Sequence, residues 1–252
     1  MAWRVFAASA TGTSHVETGQ PCQDAFARRV EGDVLLAVVC DGAGSCPQSH
    51  LGAQTVSATV IETLAQAAKT LHEWPREAFQ GLVVQSVARA RERLELMAQA
   101  SSFEMGAFAA TLVGVVAGPE RGYFFHIGDG CAVARPLAPD HEEIVSLPEN
   151  GEYANETYFI TGADWQAHLR VTPLAEPLAT VGLMSDGAAA FVMAKANRGF
   201  HRPFIDPVQQ YLDQVGQAEG DQALCSTLDD KRTHSITPDD KTLLIARWLA
   251  TA

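Results

Sequence analysis

Hydrophobic positions recur along this chain with two different periods, and the switch between them outlines the architecture. Trp3 to Ser9 alternates as an opening strand, and Asp24 to Val30 followed by Val34 to Cys40 predicts a strand pair turning at Glu31-Gly32-Asp33. The period then lengthens. Val56, Val60, Leu64, Ala67 and Leu71 form one apolar stripe on a helix from about Leu51 to Leu71. Pro75 opens a second helix, striped by Phe79, Val83, Val87, Ala90, Leu94 and Met97, with Arg89, Arg91, Arg93 and Glu95 on its polar side. The short connection makes the two helices antiparallel neighbours.

Strands resume at Ala110 to Val116, Gly122 to Ile127 and Cys131 to Arg135. The stretch from Pro139 to Pro177 is the least regular, and reads as short strands at Thr157 to Thr161 and His168 to Thr172 within a mobile excursion. Ala188 to Ala196 reads as a helix. Another is expected to start at Asp206-Pro207 and stop near Gly216, and Thr242 to Trp248 forms a closing strand. With no linker, repeat or low-complexity tract, residues 1–252 read as a single domain. Two strand blocks with two helical hairpins predict an α+β architecture of sheets covered by helices.

Four of the strand-like runs meet a carboxylate at one end. Leu35 to Cys40 runs into Asp41-Gly42, Tyr123 to Gly128 into Asp129-Gly130, and Val181 to Ser185 into Asp186-Gly187, while Asp239-Asp240 precedes Lys241 to Ala246. Any one Asp-Gly after a strand is ordinary turn chemistry. Four together are less easily coincidental, because antiparallel pairing sets the end of one strand beside the start of the next and can gather all four acids at one sheet edge. A gathered set of acids repels itself unless hard cations neutralise it, and magnesium or manganese with oxygen ligands meets that need. Gly42 and Gly187, without side chains, would let a ligand approach the backbone closely.

Composition narrows the partners. With 18 basic against 30 acidic residues the net charge is -12, a poor footprint for nucleic acid or an anionic membrane. The apolar stretch from Ala107 to Gly118 is too short to span a bilayer, and the N-terminus carries no secretory pattern. Cysteines 22, 40, 46, 131 and 225 form no CxxC pair and no even disulfide framework, which fits reduced thiols in a cytoplasm; a monomer is the separate expectation.

Six ordered motifs resemble a known family. Gln23-Asp24, Val39-Cys40-Asp41-Gly42-Ala43-Gly44, Ala110-Thr111-Leu112, Ile127-Gly128-Asp129, Met184-Ser185-Asp186-Gly187 and Asp239-Asp240-Lys241-Thr242 occur in the order of the metal-dependent type 2C serine/threonine protein phosphatases, bacterial members included. The resemblance runs from about His15 to Trp248. It implies a four-layer α-β-β-α sandwich, two antiparallel sheets flanked by helix pairs, with two Mn2+ or Mg2+ ions at one edge. By motif, Asp41 would bridge the metals, Asp186 and Asp239 would complete the first site, and the Gly42 carbonyl would serve the second. Asp24 would hold metal-bound water, and Asp129 with Asp186 would support a third, weaker metal. Two cations roughly 3.5–4 Å apart can deprotonate a bridging water and clamp both ends of an in-line displacement at phosphorus, so no protein nucleophile is needed.

Three positions depart from the family pattern. Gln23 stands where many relatives have Glu, Ala43 where eukaryotic relatives have a histidine proposed as general acid, and Gly19 where an arginine would grip phosphate. Arg4, Arg28 and His15 are the cations near the first metal motif. His15, in the loop after Thr11-Gly12-Thr13-Ser14, is the stronger candidate for proton donor or phosphate contact, with a solvent-exposed loop histidine as the plain alternative. His126 reads as a core histidine, and Glu149 to Glu156 as a solvated loop or a lid. The function expected is metal-dependent hydrolysis of phosphoserine or phosphothreonine in proteins, set against a cognate kinase. A phosphoprotein-binding pseudophosphatase and a small-molecule phosphoesterase or nuclease are the alternatives.

Overall fold

The computed structural model describes residues 2–68, 74–149, 157–195 and 198–249. Two five-stranded antiparallel sheets stack face to face. Sheet I runs in the order β1 (Ala2–Ala10), β10 (Lys241–Leu249), β9 (Leu178–Met184), β6 (Cys131–Pro136) and β7 (Ile144–Ser146). Sheet II runs β2 (Ala25–Glu31), β3 (Val34–Cys40), β4 (Leu112–Ala117), β5 (Gly122–Ile127) and β8 (Arg170–Leu174). Helices α2 (Ser49–Ala65) and α3 (Arg76–Ala100) cover sheet II. Sheet I is covered by α4 (Asp186–Val192), α5 (Arg202–Leu212) and α6 (Gln217–Leu228). This is the expected four-layer α-β-β-α sandwich.

Strand periodicity explains the layering. Leu35, Ala37 and Val39 of β3 face inward to meet Val5, Val181, Leu183 and Leu244 of sheet I, whereas Leu36, Val38 and Cys40 face outward under Val56, Val60, Leu64, Val83 and Val87 of the two helices. Both faces of a central strand are therefore dry, which is why β3, β4 and β5 read as continuous hydrophobic runs. The outer face of sheet I packs Phe6, Val133 and Ile245 against Phe191, Ile205 and Leu224. Helices α2 and α3 are antiparallel, with Thr55 Oγ1 donating to Met97 Sδ and Arg93 reaching back to Thr59 and Glu62.

Several elements differ from expectation. Helix α5 begins at Arg202, four residues before Asp206-Pro207, with Pro203 in its opening turn and Pro207 carried inside. Gly216 does not simply end a helix; it is the N-cap of α6, whose buried stripe Gly220, Leu224 and Leu228 packs on sheet I. A Cβ on Gly220 would lie 2.4 Å from the Phe6 ring, so the small residue sets how closely α6 approaches β1. Turns occupy residues 160–168 in place of a strand to Thr161, and β8 is Arg170–Leu174. His15 lies not in a loop but in a short helix, α1 (Thr13–Thr18). Leu71 and Ala196, at the ends of two expected helices, and all of Glu149 to Glu156 except Glu149 lie outside the described residues. No helix among the described residues is long and apolar enough to cross a membrane.

Candidate active site

Topology brings the acids together as the strand ends predicted. Strands β3 and β5 both pair antiparallel with β4, so they run parallel to each other and deliver Asp41 and Asp129 to the same edge of sheet II. In sheet I, β9 pairs antiparallel with β10 with Met184 opposite Leu243, which sets Asp186 beside Asp239. Asp24 enters from the start of β2, where Ala25 pairs with Cys40. The two sheets thus contribute at one rim. Asp41 and Asp129 are half-buried, Asp24 is buried, and Asp186 and Asp239 are exposed.

The surrounding backbone is fixed by short contacts. Asp41 N donates to Thr111 Oγ1 at 3.0 Å and Asp41 O accepts from Thr111 N at 2.8 Å, so β4 clamps the turn after β3 on both sides. A Cβ on Gly42 would lie 2.7 Å from the Gln23 carbonyl and 2.9 Å from Ser49, and only glycine fits between the Gln23 segment and the start of α2. Likewise a Cβ on Gly187 would stand 2.1 Å from the Asp240 carbonyl oxygen. Asp129 Oδ2 accepts from Thr157 Oγ1 at 2.6 Å, which ties the irregular excursion to the rim.

The electrostatics are those of crowded carboxylates. Burial pushes the Asp24 carboxyl up to about 7; hydrogen bonds from Ser185 and Thr242 oppose that rise, and the charges of Asp240 and Asp186 add to it. Asp41 is driven well above the usual carboxylate range by burial and then by Asp24, Asp186 and Asp129. Asp186, although its side chain reaches the surface, is raised too, first by desolvation in the crowded rim and then by the Asp129 and Asp239 charges. No three His, Cys, Asp or Glu side chains among the described residues are already closed into a metal cage. The donor set nonetheless fits hard cations. All the gathered side chains are oxygen donors, and Asp24 Oδ1 and Gln23 Oε1 are buried acceptors with no partner among the described residues.

Of the cations considered, Arg28 is committed elsewhere, to Asp221 and the Val5 carbonyl, and Arg4 to the carbonyls of Asp213 and Val215. Gly19, at φ 69°, is the left-handed cap of α1, with no atom near enough to meet a Cβ. His15 is buried at 9 % exposure, its Nδ1 3.0 Å from Asp240 Oδ2. His126 is a core residue as expected, bonded to Ser146 Oγ at 3.0 Å, and burial followed by the Arg170 charge holds it well below the usual histidine range. Ser185, Thr111, Thr157 and Asp240 each contact one of the gathered acids, a role that strand patterning did not assign to them. Only the first two and Asp240 fell within quoted motifs.

A family model for protein phosphatase 2C matches residues 11–229, which include Asp24, Asp41, Asp129 and Asp186. The chain belongs to the protein phosphatase 2C family. It is 30% identical over 257 residues to serine/threonine-protein phosphatase 3 of Escherichia coli (strain K12), covering 98% of this chain and 99% of that protein. Among solved structures, the fold is similar to that of PppA, a key regulatory component of T6SS in Pseudomonas aeruginosa, at TM-score 0.65 and 17% identity, covering 98% of both chains. It is similar also to RsbX in complex with magnesium, at TM-score 0.58 and 12% identity, over 97% of this chain and 94% of that one. These two likenesses bear on the protein phosphatase 2C fold alone.

Proposed function

We propose that this protein hydrolyses phosphoserine and phosphothreonine in phosphorylated proteins, using two divalent cations, Mn2+ or Mg2+, with a third and weaker one at Asp129. The observation that carries the reading is the convergence of Asp24, Asp41, Asp129, Asp186 and Asp239 from both sheets on one rim, crowded enough to raise three of their carboxyls. In this reading Asp41 would be shared by both ions, Asp186 and Asp239 would help hold one of them, and the Gly42 carbonyl would help hold the other. When bound, such a pair supplies an acidified water and neutralises charge at phosphorus.

The chain's own residues supply orientation and proton control. Asp24, held by Ser185 Oγ at 2.8 Å, presents Oδ1 as a fixed acceptor that can orient the attacking water. Thr111 and Gly42 hold the Asp41 turn rigid, so the bridging carboxylate need not reorganise during turnover. His15 is the proposed proton donor to the departing oxygen. The partners proposed for such an enzyme are defined by their chemistry: a phosphorylated protein and the kinase that opposes it.

A phosphoprotein-binding module with little turnover is the second reading, favoured by Ala43 and by Gly19, which ends a helix instead of reaching toward phosphate. Phosphate release from a phosphothreonine peptide separates the two. The proposal expects release with manganese, none with EDTA and a loss of at least 10²-fold in Asp186→Asn; binding of the peptide without metal-dependent release would establish the second reading.

A further inference from the structure

Asp240 has no role in the metal assignment, yet it is a hub of the candidate site. Its side chain is 2 % exposed. Oδ1 accepts from Gly12 N at 2.6 Å, and Oδ2 accepts from Gln23 N at 2.5 Å and from His15 Nδ1 at 3.0 Å. Its own N–H donates to Asp239 Oδ1 at 2.8 Å, and its carbonyl is the atom that Gly187 packs against. One residue therefore touches the segments that carry Asp24, Asp186 and Asp239.

The contact with His15 is of a particular kind. A carboxylate on Nδ1 fixes both the tautomer and the ring plane of an imidazole, leaving Nε2 as the nitrogen that faces outward. The His15 side chain keeps 11% of its exposure, and Nε2 is not among the buried atoms that lack a partner, so the accessible edge of the ring is the free one. Gly12, three residues earlier, abuts the Asp239 backbone: a Cβ there would lie 2.4 Å from Asp239 C. Ser14 N and Ser14 Oγ both hold the Pro238 carbonyl. Helix α1 is thus fastened along the segment that leads to Asp239.

We propose that Asp240 is the positioning residue of this site, holding Nδ1–H of His15 so that the doubly protonated ring donates its Nε2 proton to the departing seryl or threonyl oxygen. The proposal rests on the phosphatase reading above. In the step, the phosphorus–oxygen bond to the side chain breaks as the bond from water to phosphorus forms. The His15 proton passes to the departing oxygen, and the proton released by water is returned to His15 through solvent. Ala43 leaves the neighbouring motif without a proton donor, and this pair supplies one from a different segment.

The test compares kcat at saturating manganese for the wild type, His15→Gln, Asp240→Asn and the double variant, on a phosphothreonine peptide and on p-nitrophenyl phosphate. Departure of an alkoxide needs a proton, whereas p-nitrophenolate leaves unaided. Each single variant should lose about 10²-fold on the peptide but under about 5-fold on p-nitrophenyl phosphate, with the double variant no worse than the more impaired single one. Equal losses on both substrates, or losses that multiply in the double variant, would make Asp240 a structural brace and overturn the proposal. His15→Gln leaves two of the three donors to Asp240 in place, so its ratio between the substrates decides the matter should Asp240→Asn not fold. A wild type active on both substrates with an unimpaired His15→Gln defeats this inference alone. A wild type inactive on both defeats the phosphatase reading, and the inference with it.

Discussion

The crowded acids make an unusual demand on stability once metal is stripped away. Asp24 is buried and its carboxyl is raised from the ordinary 3.8 to about 7. The folded chain therefore holds a proton that the unfolded chain has already released between those values. The stability this contributes is fully present below about pH 4 and is lost as pH rises through about 7. At about 1.4 kcal/mol for each pH unit between the two values, the loss approaches about 4 kcal/mol, and relaxation around the carboxylate brings the expectation to about 2–4 kcal/mol. Asp41 and Asp186 are shifted in the same direction and steepen the trend.

Thermal unfolding in EDTA between pH 5 and 8 measures this directly. Between pH 5 and 7 the Asp24 loss is about 2–3 kcal/mol, and for a chain of this size each kcal/mol moves Tm by about 2–4 °C, so the wild type should lose roughly 4–12 °C across the range. Asp24→Asn, which cannot ionise but keeps the shape, should be the more stable protein at pH 8 in EDTA, and excess manganese should reverse the order. A flat wild-type profile, or an Asp24→Asn protein no more stable than wild type at pH 8, would refute the argument.

Other perturbations follow from the same geometry. Gly187→Ala forces a methyl group to within 2.1 Å of the Asp240 carbonyl, so the start of α4 must shift; turnover should fall at least 10-fold, with a raised manganese requirement in an activity titration. Asp129→Ala should preserve the two tighter metals in calorimetry while increasing the manganese needed for full activity. Arg28→Met breaks the pairing with Asp221 and should cost about 1–3 kcal/mol in urea unfolding. Its KM for a phosphopeptide should stay unchanged, because that guanidinium grips α6 and β1 rather than phosphate.

What the sequence revealed tracks how locally each feature is determined. The strands ending at Asp41, Asp129 and Asp186 were legible because both faces of β3, β5 and β9 are covered, which forces uninterrupted apolar runs. Helix α3 was legible because its buried positions repeat over 25 residues. Helix α1 was not, since six residues between Gly12 and Gly19 are too few to display a period, and their Ser and Thr content resembles a loop. The start of α5 was misjudged because Pro207 outweighed Pro203, and α6 was missed because Gly216 was taken only as a stop. Of the two neighbouring acids just before β10, Asp239 is exposed and Asp240 is buried. That Asp240 would then collect donors from residues 12, 15 and 23 depends on contacts more than 200 positions apart, which no local pattern encodes. The excursion is held the same way, through Arg91 on the carbonyls of Ile160 and Gly162 and through Thr157 on Asp129.

The central claim, that carboxylates from the two sheets jointly hold a pair of divalent cations, is tested most directly by titrating manganese calorimetrically into metal-stripped wild type and Asp41→Asn. The account predicts two tight ions per wild-type chain and, because Asp41 is assigned as the shared ligand, loss of both in a variant that remains folded. Binding of two ions by Asp41→Asn with wild-type affinity would contradict it.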